Sequence, residues 1–258
     1  GHAGDTPRGP NRTPVGTSRP PAHRSDPIFL LRRPLPEHVF GTSGVRGPIG
    51  EAITADLAVA LGRAVATAGA DRVVVGRDGR ETGAVLQSAL AAGLRECGAD
   101  VVDVGVAATP TVARSVGWRD GDAGVVVTAS HNPPADNGFK FWTPSGRAFG
   151  EERRDEIERI VDREAYDLAS WDAFGERTRW EGAARAHVDA LCDSVALDGD
   201  LSVVVDVGNG TGRVTADTLT ALGATVETLN GQLDGGFPGR PSEPTAETCE
   251  TLRQVVVA

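Results

Sequence analysis

Residues 125–142 read VVVTASHNPPADNGFKFW, a valine run that ends in Ser130, His131 and Asn132, is broken by two prolines, and resumes with Lys140. Lys140 is the only lysine in the chain; the other 25 cationic side chains are arginines. Arginine stays protonated in proteins, whereas a desolvated lysine can give and take a proton near neutrality. The spacing suggests phosphoryl transfer through Ser130, with Lys140 handling the proton. A turn of this type presents several main-chain N–H groups, and Asn132 and the serine hydroxyl add polar capacity suited to a dianionic phosphoryl group. A Ser130–His131 hydrolase pair is disfavoured, because neighbours on an extended chain point to opposite sides and no G-x-S-x-G elbow is present. The bland alternative is an ordinary Ser-Asn-Pro turn beside a lysine placed by chance.

A second candidate is Phe40-Gly41-Thr42-Ser43-Gly44-Val45-Arg46-Gly47, where three glycines free the backbone to approach an anion and Arg46 offers a fork that matches phosphate oxygens. Two other stretches look chemical and read better as structure. Asp206–Gly212 lacks the G-x-G-x-x-G spacing of a dinucleotide turn and reads as a tight strand-to-helix turn. Asp198-Gly199-Asp200 has no third carboxylate close by and reads as a surface turn.

The elements that must position these residues alternate. Thr54 can cap a helix whose apolar positions Leu57, Leu61, Val65 and Ala68 share a face. A strand over 72–76 follows, then a helix over 82–97 with Val85, Leu86, Ala89, Leu90 and Leu94 inward. A strand at 101–104, a helix at 110–117 opened by Pro110, and a strand at 125–127 come next. Phe139–Trp142 reads as an added edge strand, and a charged helix covers 151–163. After an irregular stretch around Trp171–Trp180 the rhythm restarts: helix 183–197, strand 202–207, helix 212–222, strand 225–229 and a helix from about 245. Continuous apolar strands between amphipathic helices predict an α/β fold, with mainly parallel, mixed sheets sandwiched by helices. The expected organisation is two successive similar units, the second truncated. Arg77–Arg80, Ala107–Pro110 and Thr128–Pro134 all fall at strand carboxyl ends, where ligands gather in such sheets.

Composition narrows the function. A net charge of −10 argues against a nucleic-acid partner, and no apolar run reaches the length of a membrane span. Cys97, Cys192 and Cys249 make neither a metal spacing nor a disulfide framework, so they are expected to be reduced, mostly helix-buried thiols in a cytoplasmic protein. Residues 1–38 hold 8 of the 16 prolines, six arginines and only three acids, and are expected to form a disordered tail outside the fold. The absence of methionine and the apolar ending Gln254–Ala258 suggest a piece of a longer protein.

Thr128-Ala129-Ser130-His131-Asn132-Pro133, followed by Asn137-Gly138-Phe139-Lys140, resembles the phosphoserine signature of the alpha-D-phosphohexomutases, the superfamily of phosphoglucomutase, phosphomannomutase and phosphoglucosamine mutase. Phe40–Gly47 is similar to the opening F-G-T-x-G-x-R-G of that family, and Gly76–Arg80 to its G-x-D-x-R turn. Asp206–Gly212 and Phe237–Pro244 resemble turns of its second domain. The resemblance implies a first domain at 39–178 and an incomplete second domain at 179–258. It implies that phosphorylated Ser130 passes its phosphoryl group to a hexose monophosphate, through a hexose 1,6-bisphosphate that also serves as activator. By the same resemblance Lys140 is the general acid/base, His131 contacts substrate and Arg46 stabilises the transferring phosphate. Thr42, Ser43, Asn132 and Arg80 supply further substrate or phosphate contacts. One Mg²⁺ is implied, with Ser130 a ligand through its phosphate. The D-G-D-x-D-R loop that gives the three Asp ligands is expected past residue 258, as are two further domains, so these 258 residues alone are expected to show negligible turnover. A truncated or decayed phosphosugar-binding module is the competing expectation. The partner is a small hexose phosphate, the opening loop leaning toward phosphomannomutase or phosphoglucosamine mutase; oligomeric state is left open.

Overall fold

The computed structural model describes Gly1, Gly41 and residues 44–256, and the secondary structure lies within one compact unit, Leu35–Ala258. The proline-rich stretch expected to be disordered, and Thr42 and Ser43, fall outside the described residues.

Fifteen elements follow in chain order: β1 (Val45–Pro48), α1 (Ala55–Thr67), β2 (Arg72–Arg77), α2 (Gly83–Glu96), β3 (Asp100–Val106), α3 (Thr109–Trp118), β4 (Ala123–Val127), β5 (Asp136–Trp142), α4 (Glu151–Arg163), β6 (Arg177–Arg179), α5 (Ala183–Cys192), β7 (Ser202–Asp206), α6 (Arg213–Ala221), β8 (Thr225–Leu229) and α7 (Glu250–Val256). Six strands form one sheet in the order β1-β5-β4-β2-β3-β6, and β7 and β8 form a parallel pair of their own. Strands β4, β2, β3 and β6 run parallel, while β5 pairs antiparallel with both β4 and β1.

The sheet is apolar on both faces because each strand alternates its valines between two cores. Val73, Val75, Val125 and Val127, with Phe139 and Phe141, meet α1, α2 and α4 through Leu57, Leu61, Leu90, Leu94 and Ile157. Val74, Val102, Val104 and Val126 meet α3 and the start of α5 through Val112, Val116 and Ala183. Each such side chain contributes about 1.5–3 kcal/mol on leaving water. Helices α1 and α2 touch backbone to backbone: a Cβ at Gly62 would strike the carbonyl of Leu90, and one at Gly93 the carbonyl of Val59.

Local signals explain the ends of several elements. Thr54 Oγ1 accepts the Leu57 N–H at 3.1 Å and caps α1, and Pro110 sits in the first turn of α3. Five expectations need correction. Val85 is 64% exposed; Gln87 is buried in its place, its amide donating to Asp103 Oδ1 at 2.8 Å. Strand β5 is interior, and β1, which contains Pro48, is the edge, where a missing N–H costs no ladder bond. The irregular stretch holds a strand, β6, at the far edge against β3. Helix α5 ends at Cys192 and α7 begins at Glu250, both shorter than expected. The three cysteines are free thiols, but they are half-buried at helix ends rather than inside helices. Among the described residues no helix is long and apolar enough to cross a membrane.

Candidate active site

Because β2, β3 and β4 are parallel, their carboxyl ends share one edge of the sheet, and the turns after β2 and β4 meet there. Strand β4 delivers Thr128 and Ala129 buried and then turns sharply, leaving Ser130 and His131 exposed. Ser130 has φ 60°, the left-handed region, which costs a non-glycine residue about 1–3 kcal/mol and persists only where surroundings over-determine it.

Those surroundings come from the Arg77–Arg80 turn. Arg80 is 1% exposed and spends all five of its N–H donors. Its Nε donates to Asp78 Oδ2 at 3.1 Å, one terminal nitrogen to the carbonyls of Pro133 (2.5 Å) and Asp136 (2.9 Å), the other to those of Ser130 (3.1 Å) and Asn132 (2.7 Å). Asp78 completes the circuit by accepting the Thr128 hydroxyl at 2.6 Å, and Thr128 Oγ1 accepts the Ser130 N–H at 3.0 Å. Arg80 was expected among the phosphate contacts; it lies beneath the serine turn with no donor left for an anion. The turn's amides also differ from expectation. Besides the Ser130 N–H, that of Asn132 is committed inward, to the Ala129 carbonyl at 3.2 Å, so the turn is not an open nest of donors.

The cations that face the turn come from β1 and β5. Arg46 is exposed on β1 and donates to Asn132 Oδ1 at 3.4 Å, while the Asn132 amide donates to Asp136 Oδ2 at 2.8 Å. Lys140 pairs with Val126 across the ladder, on the face opposite the buried Phe139 and Phe141. It is half-buried, and burial holds its ammonium below the usual lysine range; the nearby Arg46 pushes the same way and Asp78 opposes. Gly44, at φ 95°, lies so close to β5 that a Cβ would collide with the Phe139 carbonyl. An open cavity of about 200 Å³ beside Lys140 is lined by Gly44, Phe141, Trp142, Phe149 and Arg154. The fold thus gathers Ser130, His131, Asn132, Arg46 and Lys140 at one edge.

Three residues of this edge lie in motifs the sequence marked, but it assigned them no role. Asp78 and Thr128 act on the turn through hydrogen bonds, and a D-x-R spacing directly after a strand was the signal available for the first. Ser242, in the Phe237–Pro244 motif, donates its hydroxyl to the carbonyls of His131 (2.6 Å) and Asn132 (2.9 Å), a contact that no local pattern announces. Among the described residues no three His, Cys, Asp or Glu side chains gather as a metal ligand set. These residues do not by themselves fit the implied Mg²⁺.

Residues 37–167 match the family model described as phosphoglucomutase/phosphomannomutase, alpha/beta/alpha domain I. A protein named "Probable phosphoglucosamine mutase" from Methanopyrus kandleri is 45% identical over 222 residues, 85% of this chain and 49% of the relative. One of the same name from Methanobrevibacter smithii is 39% identical over 223 residues, covering 85% and 50%. A crystal structure of a phosphoglucomutase/phosphomannomutase family protein from Burkholderia thailandensis superposes with a TM-score of 0.72 at 33% identity, over 83% of this chain and 48% of that one. The chain spans about half the length of the curated relatives it matches.

Proposed function

Since the chain belongs to the phosphoglucomutase/phosphomannomutase family, the alpha-D-phosphohexomutases, we propose that it serves a phosphohexomutase reaction in which Ser130 carries the phosphoryl group. The observation that carries the reading is the strained, exposed Ser130 just past the end of β4, with a desolvated Lys140 on the strand paired to β4. Phospho-Ser130 gives its phosphoryl group to a free hydroxyl of a hexose monophosphate: the serine O–P bond breaks and a sugar O–P bond forms. Lys140, whose lowered proton affinity favours the neutral amine, takes the proton of the attacking hydroxyl and, as the ammonium, returns it to the sugar oxygen when the second phosphate leaves the 1,6-bisphosphate for Ser130. Arg46 offsets charge on the transferring group, and His131 and Asn132 contact the substrate; in such transfers positioning and charge neutralisation dominate. Thr42 and Ser43 are proposed as further phosphate contacts from the same glycine-rich loop. The names of the relatives support a hexosamine phosphate as substrate, and the intact reaction is proposed to use Mg²⁺ with the Ser130 phosphate as one ligand.

The test is to incubate these 258 residues with glucosamine 1,6-bisphosphate and Mg²⁺ and map the added phosphate by mass spectrometry. Phosphate on Ser130, lost in Ser130→Ala and slowed in Lys140→Ala, is expected. Phosphate on another residue, or no uptake over hours, overturns the reading. Uptake on Ser130 is a single transfer read over hours, whereas repeated interconversion of 1- and 6-phosphates by these residues alone is expected to be negligible, because no described cluster can hold the ion.

A further inference from the structure

The circuit under Ser130 does not close within the first sheet. Segment 233–242, which follows β8, lies against both turns: Leu233 and Gly235 pack on Gly79, the Phe237 ring stands 5.1 Å from the Arg80 guanidinium carbon, and Ser242 holds the His131 and Asn132 carbonyls. The Asn132 carbonyl therefore accepts from Arg80 on one side and Ser242 on the other. Phe237 itself is at φ 52°, in the left-handed region like Ser130.

From this geometry we infer that Arg80 and Ser242 are positioning residues for Ser130, and that segment 233–242 couples the second α/β unit to the reactive conformation of the serine turn. The inference rests on the proposed role of Ser130. Arg80 fixes the carbonyl side of Ser130 directly and the amide side through Asp78 and Thr128. Ser242 binds the next two carbonyls, which set where His131 and Asn132 point. Neither residue presents a donor to the open side of the turn, so both act through the backbone of Ser130–Asn132 and not on the phosphate. The chain's second unit thus acts on the first at the nucleophile, through one hydroxyl and one ring.

The test uses Ser242→Ala, Ser242→Thr and Arg80→Lys in the 258-residue chain, read by amide hydrogen exchange and by phosphate uptake on Ser130. Ser242→Ala is expected to exchange faster over residues 128–138, roughly tenfold, with α2 unchanged. Its uptake at saturating bisphosphate should slow roughly tenfold with an unaltered half-saturation concentration, as misplacement of a reacting group predicts. Ser242→Thr should restore both, which a merely structural role would not require. Arg80→Lys, which has three donors for five acceptors, should do more than Ser242→Ala in both readouts. Native exchange and native uptake in Ser242→Ala overturn the coupling. Faster exchange across the whole chain also overturns it, since the effect would then be global. Should the unsubstituted chain take up no phosphate, the reading of Ser130 fails, and exchange over 128–138 alone decides the clamp: raised it stands, unchanged it falls.

Discussion

Two aspartate–arginine pairs stand at the ends of two strands, and they do different work. Asp78 follows β2 and pairs with Arg80; Asp206 ends β7 and pairs with Arg240 at 2.6 Å. Both pairs are nearly buried, with side-chain exposures of 0% for Arg80 and 11% for Arg240. Each pair underlies a residue in the left-handed region, Ser130 in the first case and Gly208 and Asn209 in the second. The difference lies in the acceptors. Arg80 reaches four carbonyls of a distant turn, whereas among the described residues Arg240, besides Asp206, donates only to the carbonyl of its neighbour Pro241 at 2.9 Å. Asp206 spends its remaining capacity on the Gly208 N–H and the Asn230 amide. Burial raises the Asp206 carboxyl, but these bonds and Arg240 outweigh it and hold it below the usual range. One ion pair organises the Ser130 turn at the end of another strand; the other closes a turn of its own β7–β8 pair.

The largest test of that contrast is Arg80→Met. It removes five hydrogen bonds and the buried cation that offsets Asp78, so a loss of about 3–5 kcal/mol by urea denaturation is expected. Arg240→Met removes two hydrogen bonds from the guanidinium, while Asp206 keeps the Gly208 N–H and the Asn230 amide, and should cost about 1.5–3 kcal/mol. Equal costs, or a larger one at Arg240, would break the comparison.

A smaller effect sits at the joint between the two regions. Helix α5 packs on both α3 and α6, and on it His187 is buried, its Nδ1 2.7 Å from the Thr111 hydroxyl. Burial, with Arg114 nearby, lowers its proton affinity below the ordinary histidine value. The unfolded chain therefore takes up the proton first as pH falls. Stability present above about pH 6.5 is lost as pH drops through that value, and the loss ends once the folded histidine protonates too. The urea midpoint should fall between pH 7.5 and pH 5.5, and the part of that fall due to His187 should vanish in His187→Gln. If the substitution leaves the slope unchanged, the joint does not depend on this histidine. The smallest expected change is Thr54→Ala, which removes the cap of α1 for about 1 kcal/mol and should leave exchange in β7 and β8 untouched.

What the sequence made legible was whatever depends on nearby residues. Thr54, Pro110 and the charged run 151–163 announce their helices because caps and periodicity act within a turn or two. Strand β6, Arg-Thr-Arg, carries no apolar signal; it is a strand because β3 offers an edge and Asp103 binds Arg177 at 2.6 Å. Val85 looked inward because apolar residues crowd the start of α2, yet the helix phase is set by Leu86, Leu90 and Leu94, and Gln87 has a buried partner to reach. Ser130 and Lys140 stood out by chemistry alone. The role of Arg80 did not, since an arginine beside a candidate phosphate site reads as an anion ligand until its acceptors are known. Ser242 depends on contact across more than a hundred residues.

The pairing of Val126 with Lys140 has a consequence for how this stretch of gene can change length. Side chains alternate along β5, so losing or gaining one codon between Ser130 and Asn137 would put a phenylalanine where Lys140 now stands and turn the lysine toward the core. The connecting turn cannot absorb the change, because four of its carbonyls are already assigned to one guanidinium. Among descendants of this gene, substitutions here should be far commoner than single-codon insertions or deletions, and surviving length changes should come in pairs.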